Sequence, residues 1–189
     1  MNYMEKNKEV EYKIMLDKKT FHQIIDAYDE CHTYTQINYY FTSHELEEKR
    51  YALRVREKED QYEMTLKIPD GFAKIEHNEN ITKEDLDSFT NGFMPDNGIK
   101  KVLEDHGIDP TQITYSGSLK TIRHDIALHY GMLSLDENFY NDHHDFEFEF
   151  EVNNEEEGKK QFEELCETFH LSYTHNCDSK LKRFLETLK

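Results

Sequence analysis

The stretch from Glu9 to Ile14, EVEYKI, alternates strictly. Glu9, Glu11 and Lys13 occupy every second position, with Val10, Tyr12 and Ile14 between them. In a β-strand successive side chains point to opposite faces, so three charges share one face and three apolar groups the other. A single strand of this kind is an ordinary sheet edge with its charges in water. Here the pattern recurs with charges of both signs. YALRVRE sets Arg54 and Arg56 opposite Leu53 and Val55, and QYEMTLKI sets Gln61, Glu63, Thr65 and Lys67 opposite Tyr62, Met64, Leu66 and Ile68. DFEFEFEV sets Asp145, Glu147, Glu149 and Glu151 opposite Phe146, Phe148, Phe150 and Val152. Four such strands predict a sheet whose charged face is itself an interior.

These strands, in this order, resemble the CYTH family, also called triphosphate tunnel metalloenzymes. The likeness rests on a Glu-x-Glu-x-Lys opening strand (Glu9, Glu11, Lys13), an Arg-x-Arg strand (Arg54, Arg56), a Thr-Leu-Lys strand (Lys67) and a late Glu-x-Glu strand (Glu147, Glu149). It runs from about Lys8 to Val152, with a helical tail beyond.

Composition agrees with such a design. At 189 residues the chain suits one domain, or one and a half. Hydrophobic content of 36% beside 33% charged is low for a conventional core, but 12 Tyr and 12 Phe supply large apolar area per residue. The net charge of −17 excludes general nucleic-acid binding and attraction to anionic membranes, while leaving room for a local basic pocket. Three cysteines (Cys31, Cys166, Cys177) without a CxxC motif indicate neither a disulfide framework nor a zinc site. Met1 to Lys8 has no apolar core, so no signal peptide is expected, and no run is long enough to span a bilayer. A cytoplasmic protein is the expectation.

The periodicities predict the element order. A first strand covers about 8–16, and Asp17 caps a helix carrying Phe21, Ile24, Ile25 and Tyr28. A strand follows over 33–42, then a polar turn from Ser43 to Glu48. The Arg-x-Arg and Lys67 strands form a hairpin, and Pro69, Asp70 and Gly71 turn the chain into a fifth strand with Phe72, Lys74, Glu76 and Asn78 on one face. Helices are expected from Thr82 and over IKKVLEDH, then a strand over about 112–128 bent near Gly117. GMLSLDENFY and the Glu-rich strand follow, then a helix capped by Asn153 or Asn154 and a last helix over 179–189. The sum is an α+β protein: a closed eight-stranded antiparallel β-barrel with helices packed on its outside, one domain over 1–189, with the barrel at about 8–153 and the tail at about 154–189.

A triphosphate carries about four to five negative charges, and binding it calls for cations converging from several directions, Arg above all. Lys13, Arg54, Arg56, Lys67 and Arg123 supply them from different strands. Carboxylates would repel a bare polyphosphate; a hard divalent cation held by one or two of them and by the phosphates supplies the reason for their presence. Glu9 and Glu11, with two of Glu147, Glu149 and Glu151, are the candidate ligands, and Glu76 and Asp136 are further acids on intervening strands.

By resemblance, Glu9, Glu11 and the late glutamates hold Mg²⁺ or Mn²⁺, while Lys13, Arg54, Arg56, Lys67 and Arg123 hold the phosphates. Lys74 matches a basic position in relatives, and Lys180 and Arg183 match basic positions in the family's C-terminal helix. Glu9, Glu11, Lys13, Glu147 and Glu149 form the expected catalytic set. The resemblance implies metal-dependent hydrolysis of inorganic tripolyphosphate or a nucleoside triphosphate. Two alternatives stand beside it: an adenylate cyclase of class IV type, releasing pyrophosphate, and a non-catalytic polyphosphate-binding module. Relatives make a homodimer an option. His143 and His144 are adjacent and cannot chelate together from a strand, and no Gly-rich phosphate loop is present.

Overall fold

A computed structural model of the chain describes residues 3–189. The elements run β1 (Glu5–Glu9), β2 (Glu11–Leu16), α1 (Lys18–Asp26), β3 (His32–Thr42), α2 (His44–Lys49), β4 (Ala52–Lys58), β5 (Gln61–Asp70), β6 (Ala73–Ile81), α3 (Lys83–Thr90), α4 (Gly98–Asp105), β7 (Thr114–Leu128), β8 (Gly131–Tyr140), β9 (His143–Val152), α5 (Glu155–Phe169) and α6 (Lys180–Glu186). The class is α+β, and the pairs β2–β9, β3–β4, β4–β5, β5–β6, β7–β8 and β8–β9 are antiparallel, as expected. Among the described residues there are nine strands rather than eight, because Val10 interrupts the first one.

The chain divides into two compact units. One comprises the N-terminal residues through Lys8 together with Gln36–Leu119; the other comprises Glu9–Thr35 and Lys120–Lys189. In the first unit the strand order is β1-β6-β5-β4-β3, followed by the opening of β7, where Thr42 Oγ1 meets Ser116 Oγ at 2.6 Å. One face of this sheet carries Leu53, Val55, Met64 and Leu66, and α3 and α4 cover it with Leu86, Phe89, Ile99 and Leu103. Phe41 stacks on Phe89 with ring centroids 3.7 Å apart. Each such buried side chain contributes roughly 1.5–3 kcal/mol of transfer free energy. Glu79 holds the start of α4, accepting from Gly98 N at 2.9 Å.

In the second unit the order is β7-β8-β9-β2, with the first residues of β3 beside β7 through Thr33–His124 and Tyr34–Asp125. Its apolar face holds Ile126, Leu133, Leu135, Phe146, Phe148 and Phe150, against Phe21 and Ile24 of α1 and Phe162 and Leu165 of α5. Tyr12 stacks on Phe162 at 4.2 Å. Helices thus lie on the apolar face of each sheet, which leaves the charged face on the other side.

The local chemistry accounts for the helix ends. Asp17, Thr82 and Ser179 cap α1, α3 and α6, and Thr82 forms a reciprocal capping box with Asp85. Asn154, and not Asn153, caps α5. Gly117 sits at φ +133° within β7, a conformation open to glycine, where the bend was expected.

Two expectations are overturned. Ser43–Glu48 is not a polar turn: Ser43 accepts from Leu46 N and starts α2, which buries Leu46 and ends at Arg50 in the left-handed region. A single apolar anchor carries too little periodicity to be read as a helix. Phe72 also lies outside β6 and is 56% exposed, not on the charged face. Among the described residues, no helix is long and apolar enough to cross a membrane.

Candidate functional site

In the second unit, β9 places Asp145, Glu147 and Glu149 on one face. Antiparallel register sets Lys13 opposite Glu149, Asp136 opposite Glu147, and Arg123 opposite Asp136. Period-two alternation on four neighbouring strands therefore assembles one polar surface. Glu11, Lys13, Glu147 and Glu149 are each less than one-tenth exposed. Because the apolar face is buried as well, residues 146–150 are buried without a break.

The charges are tightly interleaved. Lys13 Nζ lies 3.1 Å from Glu11 Oε1, 3.0 Å from Glu149 Oε1 and 3.9 Å from Glu147 Oε1. Arg123 clamps Asp136 with both oxygens engaged, at 2.7 and 2.6 Å, and reaches Glu149 Oε2 at 2.5 Å. From α6, Lys180 Nζ meets Asp136, Glu147 and Glu149 at 2.8, 3.0 and 2.5 Å. Arg183 joins Asp145 at 3.0 Å and Glu147 at 2.5 Å.

The titration of these groups follows from burial set against neighbours. Burial pushes the Glu147 carboxyl up, and with Glu149 alongside it reaches about 7 despite Lys180 and Lys13. Burial acts the same way on Glu149, but Lys13, Lys180 and Arg123 outweigh it and hold that carboxyl well below its ordinary value. Asp136 is likewise pushed up by burial and held down by Arg123 and Lys180. Burial disfavours the Lys13 ammonium, yet Glu11, Glu149, Glu147 and Glu9 together raise it well above the ordinary value. Two glutamates on one face thus have opposite character: burial prevails at Glu147, while Lys13, Lys180 and Arg123 outweigh it at Glu149.

A metal site needs several ligand atoms converging on one point. Among the described residues no three His, Cys, Asp or Glu side chains form a metal cage; the ammonium groups of Lys13 and Lys180 sit between the oxygens. The donors nevertheless fit a hard divalent cation. They are all carboxylate oxygens, the ligand atoms such a cation takes. Glu9, Glu11, Glu147 and Glu149 are the residues that would hold it.

In the first unit the face opposite the apolar core carries a cationic strip. Arg54 and Arg56 stand on β4, with Thr65 and Lys67 on β5 and Glu76 and Asn78 on β6. Register pairs Arg54 with Thr65, Thr65 with Asn78, and Lys67 with Glu76. Lys67 Nζ and Glu76 Oε1 form an ion pair. Burial pushes the Glu76 carboxyl up, but Lys67 and Arg54 bring it down to about 2. Arg56 Nε donates to Asn38 Oδ1 at 3.4 Å.

The expected residues therefore fall into two groups. Lys13, Glu11, Glu147, Glu149, Arg123 and Asp136 come together, and Glu9 acts on Lys13 electrostatically. Arg54, Arg56, Lys67 and Glu76 form the strip, and Lys74, on β6, is half-buried two positions before Glu76. Glu151 is exposed, so Glu147 and Glu149 are the buried pair of the late strand. Asp136 is fully buried and held by Arg123 and Lys180. Sequence reasoning gave no role to Asp145 of β9, which Arg183, Asn138 and Tyr140 all contact. It also passed over Gln36 and Asn38, which carry no charge to flag them.

Residues 7–184 match the CYTH domain. The chain is 34% identical over 188 residues to the Bacillus subtilis (strain 168) protein named "Putative triphosphatase YjbK", covering 97% of each. Among solved structures it is similar to a "putative adenylate cyclase" from Bacillus halodurans, at 31% identity and TM-score 0.88, covering 95% of this chain and 98% of that one. It shares its fold with the Hippeastrum protein HpAC1, a "putative adenylyl cyclase" described as having a dominant triphosphatase activity. There the identity is 21% and the TM-score 0.78, covering 95% of this chain and 96% of that one.

Proposed function

The chain belongs to the CYTH domain family, and from that premise we propose that it is a divalent-metal-dependent triphosphate hydrolase acting, as one domain, on inorganic tripolyphosphate or a nucleoside triphosphate. The observation that carries this reading is the convergence of Glu11, Glu147 and Glu149 on Lys13 Nζ within 4 Å. Carboxylates so crowded suit a hard cation, and a cation so held suits a polyanion.

Mg²⁺ or Mn²⁺, held by Glu9, Glu11, Glu147 and Glu149, would supply charge neutralisation of the phosphoryl oxygens and a more acidic bound water. The protein's own residues do the remainder. Arg54, Arg56 and Lys67 hold phosphoryl oxygens, the guanidinium groups by paired N–H bonds. Lys13 and Arg123 keep the carboxylates oriented and lend positive charge. Positioning and electrostatics are the main demands of phosphoryl transfer, so no covalent nucleophile is needed from the chain.

A second reading is favoured by the 31% identity to the Bacillus halodurans protein. In it the ribose 3′-oxygen of ATP attacks the α-phosphorus and pyrophosphate leaves. Incubation with tripolyphosphate, ATP, GTP and thiamine triphosphate, each with Mg²⁺ or Mn²⁺, separates the readings. Orthophosphate release that is lost in Glu11→Ala supports the hydrolase. Cyclic AMP with pyrophosphate replaces it by the cyclase, and binding without product replaces both by a polyphosphate-binding module.

A further inference from the structure

The non-apolar face of the first unit holds several buried polar atoms that find no hydrogen-bond partner among the described residues. These are both amide atoms of Gln36, Nδ2 of Asn38, Nε of Arg54 and Oγ1 of Thr65. Gln36 is 1% exposed, and Asn38 and Thr65 are fully buried. A buried polar group left unpaired is costly, and such groups are rare in folded proteins. A cluster on one sheet face is therefore a feature in need of an occupant.

Gln36 and Asn38 are two residues apart on β3 and share a face. Asn38 stands opposite Arg56 and accepts from its Nε, while Arg54 stands opposite Thr65 on the other side of β4. The orphaned atoms thus bracket the two arginines: Gln36 and Asn38 beyond Arg56, and Thr65 beside Arg54. Arg54 and Arg56 lie about 7 Å apart along the strand, so the two guanidinium groups can hold different phosphoryl groups of one chain.

The inventory of the orphaned atoms selects the chemistry. Gln36 Nε2, Asn38 Nδ2 and Arg54 Nε are donors, and the Thr65 hydroxyl can act as one. Phosphoryl oxygens are acceptors and match them. Of the Gln36, Asn38, Arg54 and Thr65 atoms, Gln36 Oε1 is the obligate acceptor and needs a donor from the ligand, whereas Glu76 Oε1 on the same face has the Lys67 ammonium beside it. In a linear polyphosphate only a terminal phosphoryl readily carries a proton near neutral pH, because only it has a second ionisable oxygen, like the phosphate monoesters that titrate near about 6.

Resting on the reading of this chain as a triphosphate-binding protein, we infer that Gln36 and Asn38, beside Arg56, seat the terminal phosphoryl group of a linear polyphosphate and select chain ends over internal phosphates. The amides bind without adding positive charge. They read the shape and protonation of the group, and Arg56 supplies the attraction.

The test uses inorganic tripolyphosphate, which has terminal phosphoryls, and cyclic trimetaphosphate, which has none. Each is titrated calorimetrically into the intact protein, into Gln36→Met and into Gln36→Leu. Both substitutions keep an apolar side chain of similar size and remove the amide. The expected result is an affinity for tripolyphosphate weakened about tenfold, the effect of one or two lost hydrogen bonds. Affinity for trimetaphosphate stays unchanged. The melting temperature of the ligand-free variants holds or rises, since an unsatisfied buried amide has been removed. Equal losses for both anions, unchanged tripolyphosphate binding, or a lowered melting temperature in both variants would overturn the inference. If Arg54→Ala weakens tripolyphosphate while Gln36→Met does not, the terminal seat fails and the triphosphate reading stands. If the unmodified protein binds no tripolyphosphate, both fall together.

Discussion

Lys180 Nζ lies 2.5 Å from Glu149 Oε1, and the same ammonium contacts Glu147 at 3.0 Å and Asp136 at 2.8 Å. One side chain of α6 thereby contacts three carboxylates on β8 and β9 and, with Lys13, Arg123 and Arg183, offsets charge whose burial would be costly.

Lys180→Ala should accordingly destabilise the protein by about 3–5 kcal/mol, the usual effect of removing one partner from a buried ion pair. The melting temperature should fall on the order of 10 °C, and millimolar Mg²⁺ should restore part of it by replacing the lost charge. A melt shifted by no more than a degree or two would show that the ammonium does not compensate these acids.

The raised Glu147 has a definite pH consequence. Its carboxyl moves from an ordinary 4.5 to about 7, so the native state binds the proton more tightly than the unfolded chain. The stability contributed by Glu147 falls as pH rises from about 4.5 to about 7 and is level above that. Glu76, brought down to about 2, acts in the opposite sense: its contribution is present above 4.5 and lost as pH drops toward 2. Thermal melts through this range should show the decline between pH 4.5 and 7 in the parent protein and its disappearance in Glu147→Gln. A decline unaltered in the variant would assign it to other groups.

Glu9→Ala and Glu11→Ala should each lower metal-dependent turnover by about 10²–10³-fold, the scale of losing one electrostatic stabiliser of a transition state. Circular dichroism should show the fold retained. Undiminished phosphate release from both variants refutes the assignment of the first strand to metal.

Arg54→Ala should weaken tripolyphosphate binding by about one to two orders of magnitude, and Arg54→Lys should recover only part, because an ammonium lacks the paired donors of a guanidinium. Mg²⁺ titration of the free protein should be unaffected. Equal effects on anion and metal would move Arg54 out of the phosphate role.

Tripolyphosphate and Mg²⁺ added together should raise the melting temperature more than either alone. A ligand at a hundred times its dissociation constant adds about 2.7 kcal/mol. Absence of any shift at millimolar ligand would count against a polyphosphate site.

Much of this arrangement is legible in the sequence. Alternation in EVEYKI, LRVRE and DFEFEFEV sorts each strand's charges to one face, and a one-residue error would place Phe148 there in place of Glu147. Capping residues mark the helices that start at Asp17, Thr82 and Ser179 for a local reason, a side-chain oxygen accepting from the backbone three residues on. The short α2 escapes because one buried Leu46 sets no period. Gln36 and Asn38 escape because an uncharged amide in a strand looks the same whether it faces water or an interior.

The sequence by itself determined which residues share a face, since that depends only on the two-residue period of a strand. Which of those charges meet was decided by tertiary structure. Lys180 is 31 residues from Glu149 and Lys13 is 136 residues from it, so register and packing alone bring both ammoniums to one carboxylate. The same packing parts Glu147 from Glu149 in character. Identical side chains two positions apart differ because a pKa answers to burial and to neighbouring charges, and neither is written in local sequence.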